Sequence, residues 1–415
     1  MVKKFFVILL FCILYLSANV LATEKINLNS KYYGVYTLDN LQELESKEQN
    51  KIVPIASLTK IMTGIVCIEN IDDLNQTVVV NLPQVQSYYN EEYSVAGLKD
   101  GQEISYYDLI ATMLIPSGAD SASCIALNVF GDYSRFIKEM NDKAKEIGMS
   151  STSFSNPIGA DDSNNYSTVY DVALMMKYAL ENDTLKKLMS EYEYTTKDGS
   201  ITVKNALFVL ADLYGADVSK ITGGKTGMTG DAGYCLASFS ENTEKPLICI
   251  VLGCDIVPGT LFHLEDSQSL YNYVDEIYDY KNIYQKGDRI LTLPTYHSTK
   301  TNVSVCVNDD ISVYMQNDEN IDFQNVYIDY SGIPLLSSKN KIGDVIGSAK
   351  IYYKDEIIGD VDVVLGEEVK FSILKWSKDN TLYVILFEII VIILLAYILK
   401  KKNSIIKKRQ VINKL

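Results

Sequence analysis

The stretch "KIVPIASLTKIMTGIVCIEN", residues 51–70, decides the fold. Leu58, Ile61, Met62 and Ile65 recur at helical spacing, the pattern of a stripe facing a core, so the segment reads as a buried helix. Lys60 is set among Ile55, Leu58, Ile61 and Met62, and Ser57 lies three residues earlier, nearly one turn back on the same face. A serine at a helix N-terminus sits among free N–H groups that can stabilise an oxyanion. A lysine desolvated by aliphatic neighbours has a lowered pKa and, in its neutral form, can take the serine proton. The same pair also suits a plainer reading, a capping serine and a lysine that snorkels to solvent, and the segment alone leaves both open.

Around this segment the chain has the composition of a folded protein. Its 415 residues, 47% hydrophobic and 22% charged, suffice for two domains with proper cores. The ends differ from the middle. "MVKKFFVILLFCILYLSANVLATEK" carries two lysines, an apolar run and small residues at Ala18 and Ala22, which predicts a signal peptide over residues 1–22; an uncleaved anchor is the alternative. "TLYVILFEIIVIILLAYIL", residues 381–399, would span about 28 Å as a helix, enough to cross a bilayer. The tail after it, residues 400–415, has seven Lys and Arg and no acid, which assigns it to the cytoplasm and everything before Thr381 to the outside. Glu388, inside the apolar run, is either a partner site or a tolerated glutamate.

Between these ends the net charge is about −23, so nucleic acid and a polyanionic membrane surface are excluded as ligands of the folded part. Cys67, Cys124, Cys235 and Cys249 lie in apolar runs and read as free buried thiols. With His263 and His297 alone, no CxxC and no HExxH, there is little basis for a metal site, and neither histidine lies in a recognisable catalytic setting.

Along the middle, "KYYGVYTLDN" reads as a strand ending in a turn, and "SYYDLIATMLIPSGADSASCIALNVFG" as two helices broken at Pro116, Ser117 and Gly118. Residues 167–190 read as one amphipathic segment, with Thr168 and Asp171 as a capping pair. "KITGGKTGMTG", "AGYCLASFSEN" and "KPLICIVLGCD" read as three consecutive antiparallel strands. From about Tyr284 short alternating strands dominate. The expected organisation is therefore an α/β (α+β) unit over 24–282 with an antiparallel sheet and a helical subdomain, a small all-β unit over 284–371, and a transmembrane helix.

SxxK occurs four times, at Ser57, Ser338, Ser372 and Ser404, but Ser338 is in a polar turn, Ser372 just before the apolar run and Ser404 after it. Only Ser57 opens a buried helix. Ser117, at a helix break, can pass a proton or simply shape a turn. "GGKTGMTG" ends like a phosphate loop, yet the required first glycine falls on Ser219. It reads better as a strand bordering a cleft, where Lys225 supplies charge, Thr226 a hydroxyl, and Gly227 room for a substrate beside the backbone.

Ser57-Leu58-Thr59-Lys60, Ser117-Gly118-Ala119 and Lys225-Thr226-Gly227, in this order, resemble the three motifs of the serine penicillin-recognising enzymes, and most closely the D-alanyl-D-alanine carboxypeptidases among the low-molecular-weight penicillin-binding proteins. "PIASLTKIMTG", "MLIPSGAD", "FSNPIGADDSNNYST" and "GGKTGMTGDAGYCLA" carry the resemblance over about residues 30–280. It implies a β-lactamase/transpeptidase-like fold and an enzyme that removes the terminal D-alanine from peptidoglycan stem peptides. By this resemblance Ser57 is the nucleophile, Lys60 the base, Ser117 part of the proton path, Lys225 and Thr226 the carboxylate holders, and the N–H groups of Ser57 and Met228 the oxyanion hole. It implies β-lactams as covalent inhibitors and no metal or organic cofactor. Two positions depart from the pattern: Ala119 stands where the second motif usually has asparagine, and Asn165 where histidine is common. A β-lactamase and a wall-binding or penicillin-sensing protein without turnover are the other two readings.

Overall fold

The structure, a computed structural model, describes residues 26–412 apart from Glu91; the expected signal peptide lies outside the described residues. The chain divides after Ile277 into two units. The first is built on a five-stranded antiparallel sheet of β1 (Tyr32–Thr37), β2 (Glu43–Lys47), β3 (Gly223–Thr229), β4 (Gly233–Ser240) and β5 (Leu247–Cys254), in the order β2-β1-β5-β4-β3. β5, "LICIVLGC", is apolar throughout because helices cover both faces of the sheet, which leaves no solvent side to demand alternation. β3, poor in large apolar residues, takes an edge.

The helical part is centred on α1 (Thr59–Asn70), with nine consecutive buried residues from Thr59 to Cys67. Such a helix is enclosed on every side, here by α2 (Tyr106–Leu114), α3 (Ala119–Asn128), α4 (Tyr133–Glu146) and α5 (Val169–Leu180). Truncating Ile61 or Met62 to alanine in such a place costs about 2–5 kcal/mol. α2 and α3 are separated at Pro116–Gly118 as the sequence suggests. The segment 167–190, read as a single amphipathic run, is two helices, α5 and α6 (Asp183–Ser190), because the Asn182 side chain caps the second through the N–H groups of Thr184 and Leu185. Thr168 does cap α5 by accepting from the Asp171 N–H, but Asp171 does not reciprocate; it accepts from the Ser151 N–H and Thr152 Oγ1. α7 (Phe262–Ile277) lies on β4 and β5.

The second unit begins at Tyr278. Its first strand, Tyr278–Tyr284, pairs with Ile311–Gln316, and the expected boundary near Asn282 lies inside it. A separate five-stranded antiparallel sheet runs from Arg289 to Leu365 around Val303, Val305, Ile346, Val363 and Leu365, so the expected all-β unit is present. A helix from Thr381 to Ile412 follows, in which Thr381–Ile406 is long and apolar enough to cross a membrane. It runs on past Leu399, so the apolar stretch and the first basic residues share one helix.

Candidate active site

Ser57 lies in a 3₁₀ turn, Ala56–Leu58, that leads directly into α1. The turn is tight. Ala56 carries φ +49°, and a Cβ on Gly159 (φ +82°) would fall 2.0 Å from the Ala56 carbonyl oxygen, so only glycine can press the 156–160 loop onto this turn. That loop is held by Asn156, whose Oδ1 accepts from the N–H groups of Gly159 and Ala160 at 2.8 and 2.9 Å.

Lys60 Nζ is 2.9 Å from Ser57 Oγ and donates to the Ile158 carbonyl at 2.6 Å. The lysine is 1% exposed. Burial, and after it the nearby Lys225 ammonium, push its pKa well below the ordinary lysine value, with Asp120 opposing weakly. A neutral amine facing a serine hydroxyl at hydrogen-bond distance is the arrangement a general base requires. The snorkelling alternative does not hold, since the amine has no path to solvent.

The third segment lies against the first. A Cβ on Gly227 would come within 3.1 Å of the Ser57 nitrogen and 3.2 Å of the Ile55 oxygen, so the middle of β3 touches the Ser57 turn, and a larger residue there would separate them. Lys225, on the same face two residues earlier, is 1% exposed and among the described residues donates only to the Thr226 carbonyl, at 2.9 Å. Burial lowers its pKa to about 7. A buried amine with one carbonyl for a partner is short of an anion, and a substrate carboxylate would restore its charge. Thr226 is half-buried beside it, and Met228 is 52% exposed at the cleft mouth. β3 is an edge strand, so one side of its backbone is free to pair with an extended peptide.

Ser117 sits in the α2–α3 break with φ +69°, almost fully buried, a backbone state uncommon for serine and typical of functional turns. Ala119 places a methyl group in the core. Asp120 does not replace the missing amide. Its carboxylate turns to the 94–98 loop and accepts from the N–H groups of Ala96, Gly97 and Leu98 at 2.8, 2.9 and 3.1 Å. Asn165 is buried and bonds Thr59 Oγ1 and the Ser155 N–H. The 156–160 loop lies in a stretch that carries the resemblance, but the contact of its Ile158 carbonyl with Lys60 was not foreseen from it; the signal was the glycine of "NPIG", whose positive φ only the folded chain explains.

The profile of the D-alanyl-D-alanine carboxypeptidase family matches residues 21–255, more than half the chain. The chain belongs to this family. That of the penicillin-binding protein 5 C-terminal domain matches residues 278–370, the all-β unit. D-alanyl-D-alanine carboxypeptidase DacF of Bacillus subtilis is 24% identical over 332 residues, covering 80% of this chain and 84% of its own. DacB2 of Mycobacterium tuberculosis, another such carboxypeptidase, is 29% identical over 58% of this chain and 80% of its own. The crystal structure of the peptidoglycan synthesis regulatory factor PBP3 of Streptococcus pneumoniae superposes with a TM-score of 0.65 at 18% identity, covering 83% of this chain and all of that one, which bears on fold alone. The expected transpeptidase-like fold, the family and the serine-type hydrolase activity of a penicillin-binding carboxypeptidase are thus borne out, and the β-lactamase and turnover-free readings are not favoured.

Proposed function

We propose that this carboxypeptidase works through an acyl-enzyme on Ser57. Lys60, neutral in the resting site, takes the Ser57 proton as Oγ attacks the carbonyl joining the last two D-alanines of a stem peptide. The tetrahedral oxyanion lies between the N–H groups of Ser57 and Met228, and collapse expels D-alanine, whose amine receives the proton through Lys60 and Ser117. Lys225 and Thr226 hold the terminal carboxylate, so a chain ending in a free carboxylate is preferred. Water then hydrolyses the ester with Lys60 again as base. The observation that carries this reading is the 2.9 Å contact between a buried lysine amine and the Ser57 hydroxyl, with β3 packed against the same turn. β-Lactams would acylate Ser57 by the same route. The C-terminal helix would hold the enzyme in the membrane as a single pass, with the catalytic unit on the wall side and the basic tail inside.

The test is incubation of the wild type and Ser57→Ala with a fluorescent penicillin and with a pentapeptide ending in D-Ala-D-Ala, following label and released D-alanine. Stable labelling and release in the wild type, both lost in Ser57→Ala, is the expected result. Release that persists in Ser57→Ala would remove Ser57 from the mechanism.

A further inference from the structure

Glu388 takes no part in the reaction at Ser57. It is the one acid between Thr381 and Leu399, inside the helix that is long and apolar enough to cross a membrane. It is exposed there, with no hydrogen-bond or ion-pair partner among the described residues. Under the membrane topology proposed above, on which this inference rests, it lies about 10 Å along the helix axis from Thr381. A glutamate side chain does not reach back over that distance. Its carboxyl group therefore stays in hydrocarbon, where an unpartnered polar group is costly.

The rest of the helix shows what can cover it. Almost every other position from Leu382 to Leu399 is apolar, so lipid suits them all alike, and Glu388 alone gives the helix a preferred face. Counted in sevens, Thr381, Glu388 and Leu395 fall in one row, and Val384, Val391 and Ile398 in the row three residues on. Together they make the stripe along which two parallel helices pack as a left-handed pair, and a single polar residue in the first row fixes register and partner. The apolar window is unburied in the protein, which leaves this stripe open.

A second copy of the chain supplies the matching group. Two copies enter the membrane in the same direction, so about a two-fold axis each Glu388 meets the other at the same depth, and Val384 and Val391 meet their own counterparts. Side by side in hydrocarbon, the two carboxyl groups cannot both ionise; with a proton between them they hydrogen-bond to each other. A helix from another protein would need a polar group at that one depth. We propose that the C-terminal helix pairs with that of a second copy of this chain along the Glu388 stripe, through hydrogen bonds between the two carboxyl groups.

The test is sedimentation equilibrium of the full-length protein in detergent over a series of protein-to-detergent ratios, for the wild type, Glu388→Ile and Glu388→Gln. Isoleucine keeps the helix apolar and removes the hydrogen bond, whereas glutamine keeps a group that can hydrogen-bond to its copy. Half-dimerisation of Glu388→Ile is expected at a ratio about tenfold above the wild type, and of Glu388→Gln within about threefold of it. Equal penicillin labelling of all three shows that the catalytic unit is folded in each. A wild type that is monomeric at every ratio, a Glu388→Ile that dimerises as the wild type does, or a Glu388→Gln as weak as Glu388→Ile overturns the pairing. So does a wild type that is monomeric when pure and leaves its native membrane bound to a different polypeptide. Flotation with phosphatidylcholine vesicles reads the topology separately: protein that fails to float has lost the membrane reading itself, while protein that floats and stays monomeric has lost only the pairing.

Discussion

In the proposed mechanism two lysines held out of water work in opposite protonation states, Lys60 as a base and Lys225 as a cation for the substrate. In the free enzyme the Lys225 pKa is lowered to about 7 by burial, so as pH rises through that value the site loses the charge that pairs with a carboxylate. kcat/KM for a D-Ala-D-Ala peptide is therefore expected to fall on the alkaline side from about pH 7, while protonation of Lys60 sets the acid side. Lys225→Arg keeps its charge at any accessible pH, so its alkaline limb should vanish even though the larger head lowers the maximum rate. A pH profile of the variant with an unchanged alkaline limb would assign that limb to another group. The Ser57–Lys60 relation was readable from sequence because three residues along a helix fix a shared face. That Lys60 also bonds the Ile158 carbonyl was not, since 98 positions separate them and no periodicity relates them.

At the scale of elements, the site depends on loops pinned by single polar groups. Asp120 at the start of α3 satisfies three N–H groups of the 94–98 loop, and a Cβ on neighbouring Gly118 would lie 3.2 Å from the Ala96 Cβ, so the loop packs directly against the Ser117 break. Asp120→Ala leaves the buried Leu98 N–H and the part-buried Ala96 N–H without an acceptor and is expected to destabilise the first unit by about 1–3 kcal/mol, read from urea unfolding, with slower penicillin labelling. Undiminished stability would show the loop to be held by other contacts. α7 carries a different weak point. His263 is fully buried, stacked on Tyr234 at 4.7 Å, and neither ring nitrogen has a hydrogen-bond partner among the described residues. Burial lowers its pKa to about 4. The unfolded chain thus takes up the proton first, and stability is lost as pH falls from about 6.5 to about 4. His263→Phe keeps the stacked ring without the proton, so thermal melts at pH 7 and 4.5 should differ less than in the wild type. An unchanged difference would place the acid sensitivity elsewhere. The split of 167–190 into two helices belongs to this scale as well: Asn182 was visible, but its use as a cap depended on where the chain turned.

For the whole molecule, the C-terminal helix is the feature with a clear physical consequence. The helix from Thr381 is long and apolar enough to cross a membrane and its apolar window is unburied in the protein, so under the proposed topology a bilayer covers it. Ending the chain at Asn380 is expected to move the enzyme from the membrane fraction to the soluble fraction with its penicillin labelling intact. A truncated protein still sedimenting with membranes would mean that another part of the chain binds them.

The sequence by itself determined most of the elements, though not the split of 167–190, and the order of the motifs, because helical and alternating periodicities are local properties of side chains, and because β5, α1 and the C-terminal helix are apolar enough to have one outcome each. Tertiary structure alone decided how dry Lys60 and Lys225 are, which carbonyl receives the Lys60 amine, and that the Asp120 carboxylate is taken up by the 94–98 loop. Those are matters of what lies across a gap from a side chain, and segments dozens of residues away supply it.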